Sequence, residues 1–179
     1  MAKQVNTTYG DALFELAVEE NRVDSIQEEI TELLQILREN GELLQVLTHP
    51  EILKEDKEQM LQNIFKGRVS NAVMGMLLIV VKNDRSSELI HICEYVISRI
   101  KEYKNIGIAY VTSAFELSAA QKKEIEEKLL NTTGYAEMEM HYSTDAALIG
   151  GLVIRIDDRV VDSSVKRQLE RMSTALSQG

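Results

Sequence analysis

The chain has one cysteine, one proline, no tryptophan and only 5% aromatic residues. A single thiol, Cys93, cannot form an internal disulfide, so an apolar core must hold the fold and a reducing cytoplasm is the expected setting. One proline and nine glycines among 179 residues leave few breakers, so helix should dominate. Positive charge is scarce as well. Twenty Lys and Arg face 29 Asp and Glu, a net charge of −9, which argues against sequence-independent binding to nucleic acid or anionic lipid. The most apolar window, 72–81, is half the length of a membrane span, which needs about 20 apolar residues. The N-terminus lacks the basic stretch and apolar run of a secretory signal. Any membrane association is therefore expected to come through a partner.

What is present is an ordinary globular composition, 44% apolar and 27% charged. In 20.3 kDa it can hold one medium domain or two small ones. The first part reads as helices joined by short links. Val5, Tyr9, Ala12, Leu13 and Leu16 share one helical stripe, while Phe14 and Val18 lie on another side, so this helix has two apolar faces to cover. Asn21 with Asp24 suggests an N-cap for a helix carrying Val23, Ile26, Ile30, Leu33, Leu34 and Leu37. Asn40-Gly41 should end it in the left-handed conformation. A short helix over 42–47 stops before Pro50. The next, over 54–65, should bury Met60, Leu61, Ile64 and Phe65. Ser70 caps a fifth reaching Lys82, and Leu89, Ile92, Cys93, Val96, Ile97, Ile100 and Tyr103 mark a sixth. Val73, Met76, Leu77 and Val80 exceed one buried stripe, which together with Met74 points to an adaptable surface for a partner helix.

The pattern changes near residue 105. Residues 108–113 are rich in strand formers. Ser118 with Gln121 caps a helix presenting Ile125, Leu129 and Leu130, and 137–142 alternates as a strand with one exposed face. Gly150-Gly151 then opens a strand in which Leu152, Ile154 and Ile156 share a face. Asp157, Asp158 and Arg159 make a turn, Val160-Val161 a short return. Asp162, Ser163 and Ser164 supply oxygens to a last helix carrying Val165, Leu169, Met172 and Leu176. The expected fold class is α+β: an N-terminal six-helix bundle over 1–105, then a small α/β domain over 106–179 with a short mixed sheet and two helices.

The reactive residue types do not converge. His49, His91 and His141 show no metal-ligand spacing, and His91 and Cys93 point about 200° apart around a helix. Cys93 sits on an apolar stripe, as a core residue rather than a nucleophile. The glycine pair leads into a strand, whereas a phosphate loop leaves one, so its role is structural. Asp157, Asp158 and Asp162 read as turn and cap residues, and Lys166, Arg167 and Arg171 as a solvated face. No cofactor or metal is implied. A small cytoplasmic enzyme using those aspartates in an acidic site between the two halves is the alternative reading.

Several segments carry a family resemblance. Leu148-Ile149-Gly150-Gly151, the polar turn after it and Asp162-Ser163-Ser164 resemble the C-terminal signature of the ATP synthase delta subunit, counterpart of the mitochondrial oligomycin-sensitivity-conferring protein. The turn usually contains Gly where this chain has Asp157 or Asp158, and position 163 is usually Gly or Ala. Val111 to Ser118 with Gln121, Tyr9 to Phe14, Pro50 with Lys57, and Asn83 to Arg85 are similar too. The resemblance implies a non-catalytic stator connector of the F-type proton-translocating ATP synthase on the cytoplasmic face of the bacterial membrane. Its helical domain would bind N-terminal helices of alpha subunits and its second domain the C-terminal end of the b-subunit stalk. Tyr9, Ala12, Leu13, Val73, Met76 and Val80 are the candidates for the alpha-subunit groove. Leu148, Ile149, Gly150, Gly151, Asp162 and Ser164 form the structural signature.

Overall fold

The computed structural model describes residues 2–156 and 158–169, with the side chains of residues 2–6 excepted. Asp157, Arg171, Met172, Leu176 and the side chain of Val5 lie outside the described residues. The chain divides into two compact units, Met1–Lys101 and Glu102–Gly179. Its class is α+β.

In the first unit α1 (Ala2–Glu19), α2 (Val23–Glu39), α3 (Gly41–Thr48), α4 (Lys54–Phe65), α5 (Asn71–Lys82) and α6 (Leu89–Tyr103) follow one another, with a 3-10 turn at Ser86–Glu88. Their apolar faces meet in one core. Ile26, Ile30, Leu33 and Leu37 of α2, Leu61 and Phe65 of α4, and Ile92, Cys93, Val96 and Ile100 of α6 are buried there. Helix α5 contributes Val73, Met76, Leu77, Val80 and Val81 and packs against α1, α2 and α4. Most of its apolar stripe is thus used inside the unit, with Ile79 left exposed.

Several local expectations change. Asn21 does not cap α2: it adopts φ 55°, and Arg22 donates its N–H to the Ala17 carbonyl at 2.9 Å, so the residue closes α1 in the left-handed manner. Conversely, Asn40 keeps φ −111° and passes straight into α3, its side chain donating to the Ile36 carbonyl at 2.9 Å. Among the described residues of α1, Gly10, Leu13 and Ala17 are buried, while Leu16 is exposed. Tyr103 is exposed at the end of α6.

The second unit is built on a mixed sheet of β1 (Ile106–Ser113), β2 (Glu137–Thr144), β3 (Leu152–Ile156) and β4 (Arg159–Asp162), in the order β2-β1-β3-β4. β1 runs parallel to β2 and antiparallel to β3. A parallel pair needs a crossover, and α7 (Ala119–Thr133) provides it. Ser118 and Gln121 form a complete capping box, and Gly134 ends the helix at φ 76°. Ala109, Val111 and Met138 form the buried side of the sheet. There, Tyr142 donates its hydroxyl hydrogen to the Lys122 carbonyl of α7 at 3.1 Å. On the other face Tyr110 stacks on His141 at 5.0 Å, and the Arg155 guanidinium lies 4.7 Å over the Tyr110 ring. β4 is an edge strand with Val160 and Val161 exposed.

Candidate functional site

The Tyr9-Gly10-Asp11 opening of α1 is fixed by neighbours on two helices. Tyr9 accepts a hydrogen bond from Asn83 Nδ2 at 2.9 Å, past the end of α5. At Gly10 a Cβ would stand 2.3 Å from the Tyr95 ring, so only glycine lets that ring lie against α1. Asp11 accepts from the Tyr95 hydroxyl at 2.8 Å and pairs with Arg99 at 3.3 Å. These residues set the position of α1 against α5 and α6.

The six expected groove residues then separate into two sets. Leu13, Val73, Met76 and Val80 belong to the unit's own core, at 4%, 0%, 6% and 0% exposure, and offer no surface to a partner. That corrects the choice of these four as contact residues, while α5 keeps other apolar groups at its surface. Tyr9 is half-buried and Ala12 exposed. The surface of the α1–α5 pair carries apolar groups outside the six expected groove residues. Leu16 is 36% and Ile79 51% exposed, Ala72, Met74 and Leu78 are half-buried, and a Cβ on Gly75 would meet open space.

In the second unit the resemblance-bearing segments converge. Ser113 and Leu152 are register partners of β1 and β3, which brings the Val111–Ser118 segment beside Gly151. Gly151 has φ 80°, and a Cβ there would lie 2.4 Å from the Ser163 carbonyl oxygen; the glycine serves close backbone approach. The contact is sealed by bonds to the Leu152 carbonyl from Ser163 N–H and Ser163 Oγ, both at 2.9 Å. So the serine at position 163 gains a bond that Gly or Ala would lack.

Asp162 accepts the Ser164 N–H at 3.0 Å, and Ser164 Oγ accepts the Arg167 N–H at 3.3 Å. Ser164 is thus the cap. Hydrogen bonds from the Ser164 hydroxyl and N–H, aided by Arg167, hold the Asp162 carboxyl below its usual range. Lys166 and Arg167 are exposed, as a solvated face requires. Val165 and Leu169 are exposed too. Ile149, at φ 66° and 58% exposed, holds a backbone conformation that β-branched residues avoid.

Between these segments lies a cleft of about 390 Å³ lined by Ser113 to Leu117, Gln121, Glu124, Ile125, Lys128, Gly151 and Leu152. Phe115 stands at it with 74% of its surface exposed. Sequence reasoning passed over Phe115, although a large aromatic in a short strand-to-cap loop was the available signal. Glu124 accepts from Lys128 at 2.7 Å, and that bond lowers its carboxyl below the ordinary value. No group of three or more His, Cys, Asp or Glu suited to a metal occurs among the described residues. His49 accepts the Glu51 N–H at 3.2 Å, His91 pairs with Glu94 at 3.3 Å and His141 with Glu139 at 2.9 Å.

The sequence profile described as the ATP synthase delta (OSCP) subunit matches residues 5–176. The chain belongs to the ATP synthase delta (OSCP) family. Among its relatives, the ATP synthase subunit delta of Lachnoclostridium phytofermentans is 51% identical over 98% of this chain and 97% of the relative. That of Thermosynechococcus vestitus is 33% identical over 98% and 95%. The fold is also similar to a chain of the Toxoplasma gondii mitochondrial ATP synthase hexamer, with a TM-score of 0.72 at 15% identity over 96% of both chains. As a delta (OSCP) subunit the protein is a non-catalytic component of the peripheral stalk, the stator of an F-type ATP synthase. This sets aside the acidic-enzyme reading. No helix among the described residues is long and apolar enough to cross a membrane, and a delta (OSCP) subunit meets the membrane through the complex.

Proposed function

We propose that this stator subunit joins the catalytic head to the stalk by giving one unit to each. The 1–101 unit holds the N-terminal helices of alpha subunits, and the 102–179 unit holds the C-terminal end of the b subunit, at the cytoplasmic face of the bacterial membrane. The observation that carries the first half is the α1–α5 pair. These two helices pack together and still leave Ala12, Leu16 and Ile79 exposed. Leu13, Val73, Met76 and Val80 support that surface from beneath. Tyr9 stands at its end, held by Asn83. An amphipathic helix laid on such a face buries anchors at helical spacing, and Gly75 lets a backbone come close.

For the second half, Phe115 is the anchor. An exposed aromatic beside a cleft provides large apolar contact at small entropic cost. Resisting torque calls for extensive contact and slow dissociation rather than a reactive pocket.

The test is calorimetry with a peptide of the alpha-subunit N-terminus. Because Ala12 is exposed, Ala12→Asp should leave the circular dichroism unchanged. It should weaken the peptide by about tenfold or more, by setting a desolvated charge against an apolar helix. Unaltered affinity would remove α1 from the interface.

A further inference from the structure

Away from the α1–α5 surface, the first unit has a cleft of about 590 Å³ between the α3–α4 link and the turn that follows α5. Two of the residues lining it are polar and more than nine-tenths buried: Lys57 at 6% exposure and Ser86 at 4%. Among the described residues neither the Lys57 amino group nor the Ser86 hydroxyl has a hydrogen bond or ion pair. Neither group is shut off from solvent, so both polar tips open onto the cleft while the rest of each side chain is buried, and two donors are turned towards whatever the cleft receives.

The chemistry of that ligand follows from what the walls supply. Lysine offers three donors and no acceptor, and the serine hydroxyl adds another donor. Asp84, the one carboxylate on the lining, is engaged by Lys54 at 2.5 Å, and Lys54 also donates to the Lys82 carbonyl at 2.9 Å. That pair cancels its own charge and leaves Lys57 as the uncompensated cation. Leu47, Pro50, Ile52 and Leu53, the last 64% exposed at the rim, make an apolar part of the wall, and Thr48 and Ser87 complete the lining. A water occupies roughly 30 Å³, whereas the cleft falls in the range of small-molecule sites.

We propose that this cleft binds a small organic anion, a carboxylate or phosphate attached to an apolar body of a few carbons. Its oxygens accept from Lys57 and Ser86, and its apolar part lies against Leu47, Pro50 and Ile52. The site involves neither the Phe115 cleft nor the groove residues, so it stands independently of the docking roles above.

The experiment is a titration of the full chain, followed by the backbone amide shifts of Ser86 and Ser87, with inorganic phosphate, hexanoate and hexylammonium as probes. Saturable shifts are expected with phosphate and hexanoate, hexanoate binding about tenfold more tightly because its chain is buried. Hexylammonium should produce none. Lys57→Met keeps the apolar stem and removes the charge; it should weaken hexanoate by about tenfold or more. Ser86→Ala should weaken it less. A thermal melt of each variant establishes that it is folded. Absence of saturation in the native chain, equal binding by Lys57→Met, or equal binding of hexylammonium would each overturn the proposal.

Discussion

Gly75 and Gly151 lack the same atom for opposite reasons. Gly75 lies within α5 where a Cβ would touch nothing, and glycine there costs helix stability by leaving the unfolded chain freer. Gly75→Ala should therefore stabilise the isolated protein by roughly 0.5–1 kcal/mol in urea melts. If a partner helix approaches at that point, the same change should weaken the alpha-subunit peptide. Gly151 has φ 80° and a carbonyl oxygen 2.4 Å from where a Cβ would sit. Gly151→Ala should destabilise the second unit by roughly 2 kcal/mol or more, since both the dihedral and the contact oppose it. A Gly151→Ala chain melting like the native one would show that β3 does not need the close approach to Ser163.

At the scale of elements, each helix balances its ends against its buried face. α7 has no fully buried residue, so its capping box matters more than a cap on a core helix such as α5. Ser118 Oγ accepts the Gln121 N–H at 3.3 Å, and Gln121 Oε1 accepts the Ser118 N–H at 3.0 Å. Ser118→Ala should cost about 1 kcal/mol, with hydrogen exchange rising first in the opening turn of α7. Unchanged exchange there would mean that packing on the sheet holds α7 by itself. The caps also mark where reading by residue type reaches its limit. Asn favours both the N-cap and the left-handed C-terminal position; the short turn between α1 and α2 selected the second for Asn21, and the direct entry into α3 denied it to Asn40.

For the molecule as a whole, Cys93 provides a probe of core integrity. Its thiol is fully buried in the first unit, and burial, with Glu94 nearby, pushes it up to about 12 from an ordinary 9.0. The folded value lies above the unfolded one, so the thiol's contribution to stability is fully present below about pH 9 and lost as pH rises towards 12. Native stability relative to Cys93→Ala should fall across that window, and thiol reagents should react only on unfolding. A constant difference would place the thiol in contact with solvent. The α+β class, the helix and strand types, the Ser70 and Ser118 caps and the change of pattern near residue 105 are all legible in the order of residues. Periodicity, capping oxygens and strand formers act over a few residues, and these features are local. Which apolar faces are covered depends instead on long-range packing. Periodicity shows that a face of α5 is apolar but not that α1, α2 and α4 pack around that helix, so by itself it offers Val73, Met76 and Val80 to a partner although they are core. The same holds for Lys57 and Phe115: nothing local distinguishes a buried lysine from a solvated one, or an exposed phenylalanine from a core one, because burial is set by chain segments distant in sequence.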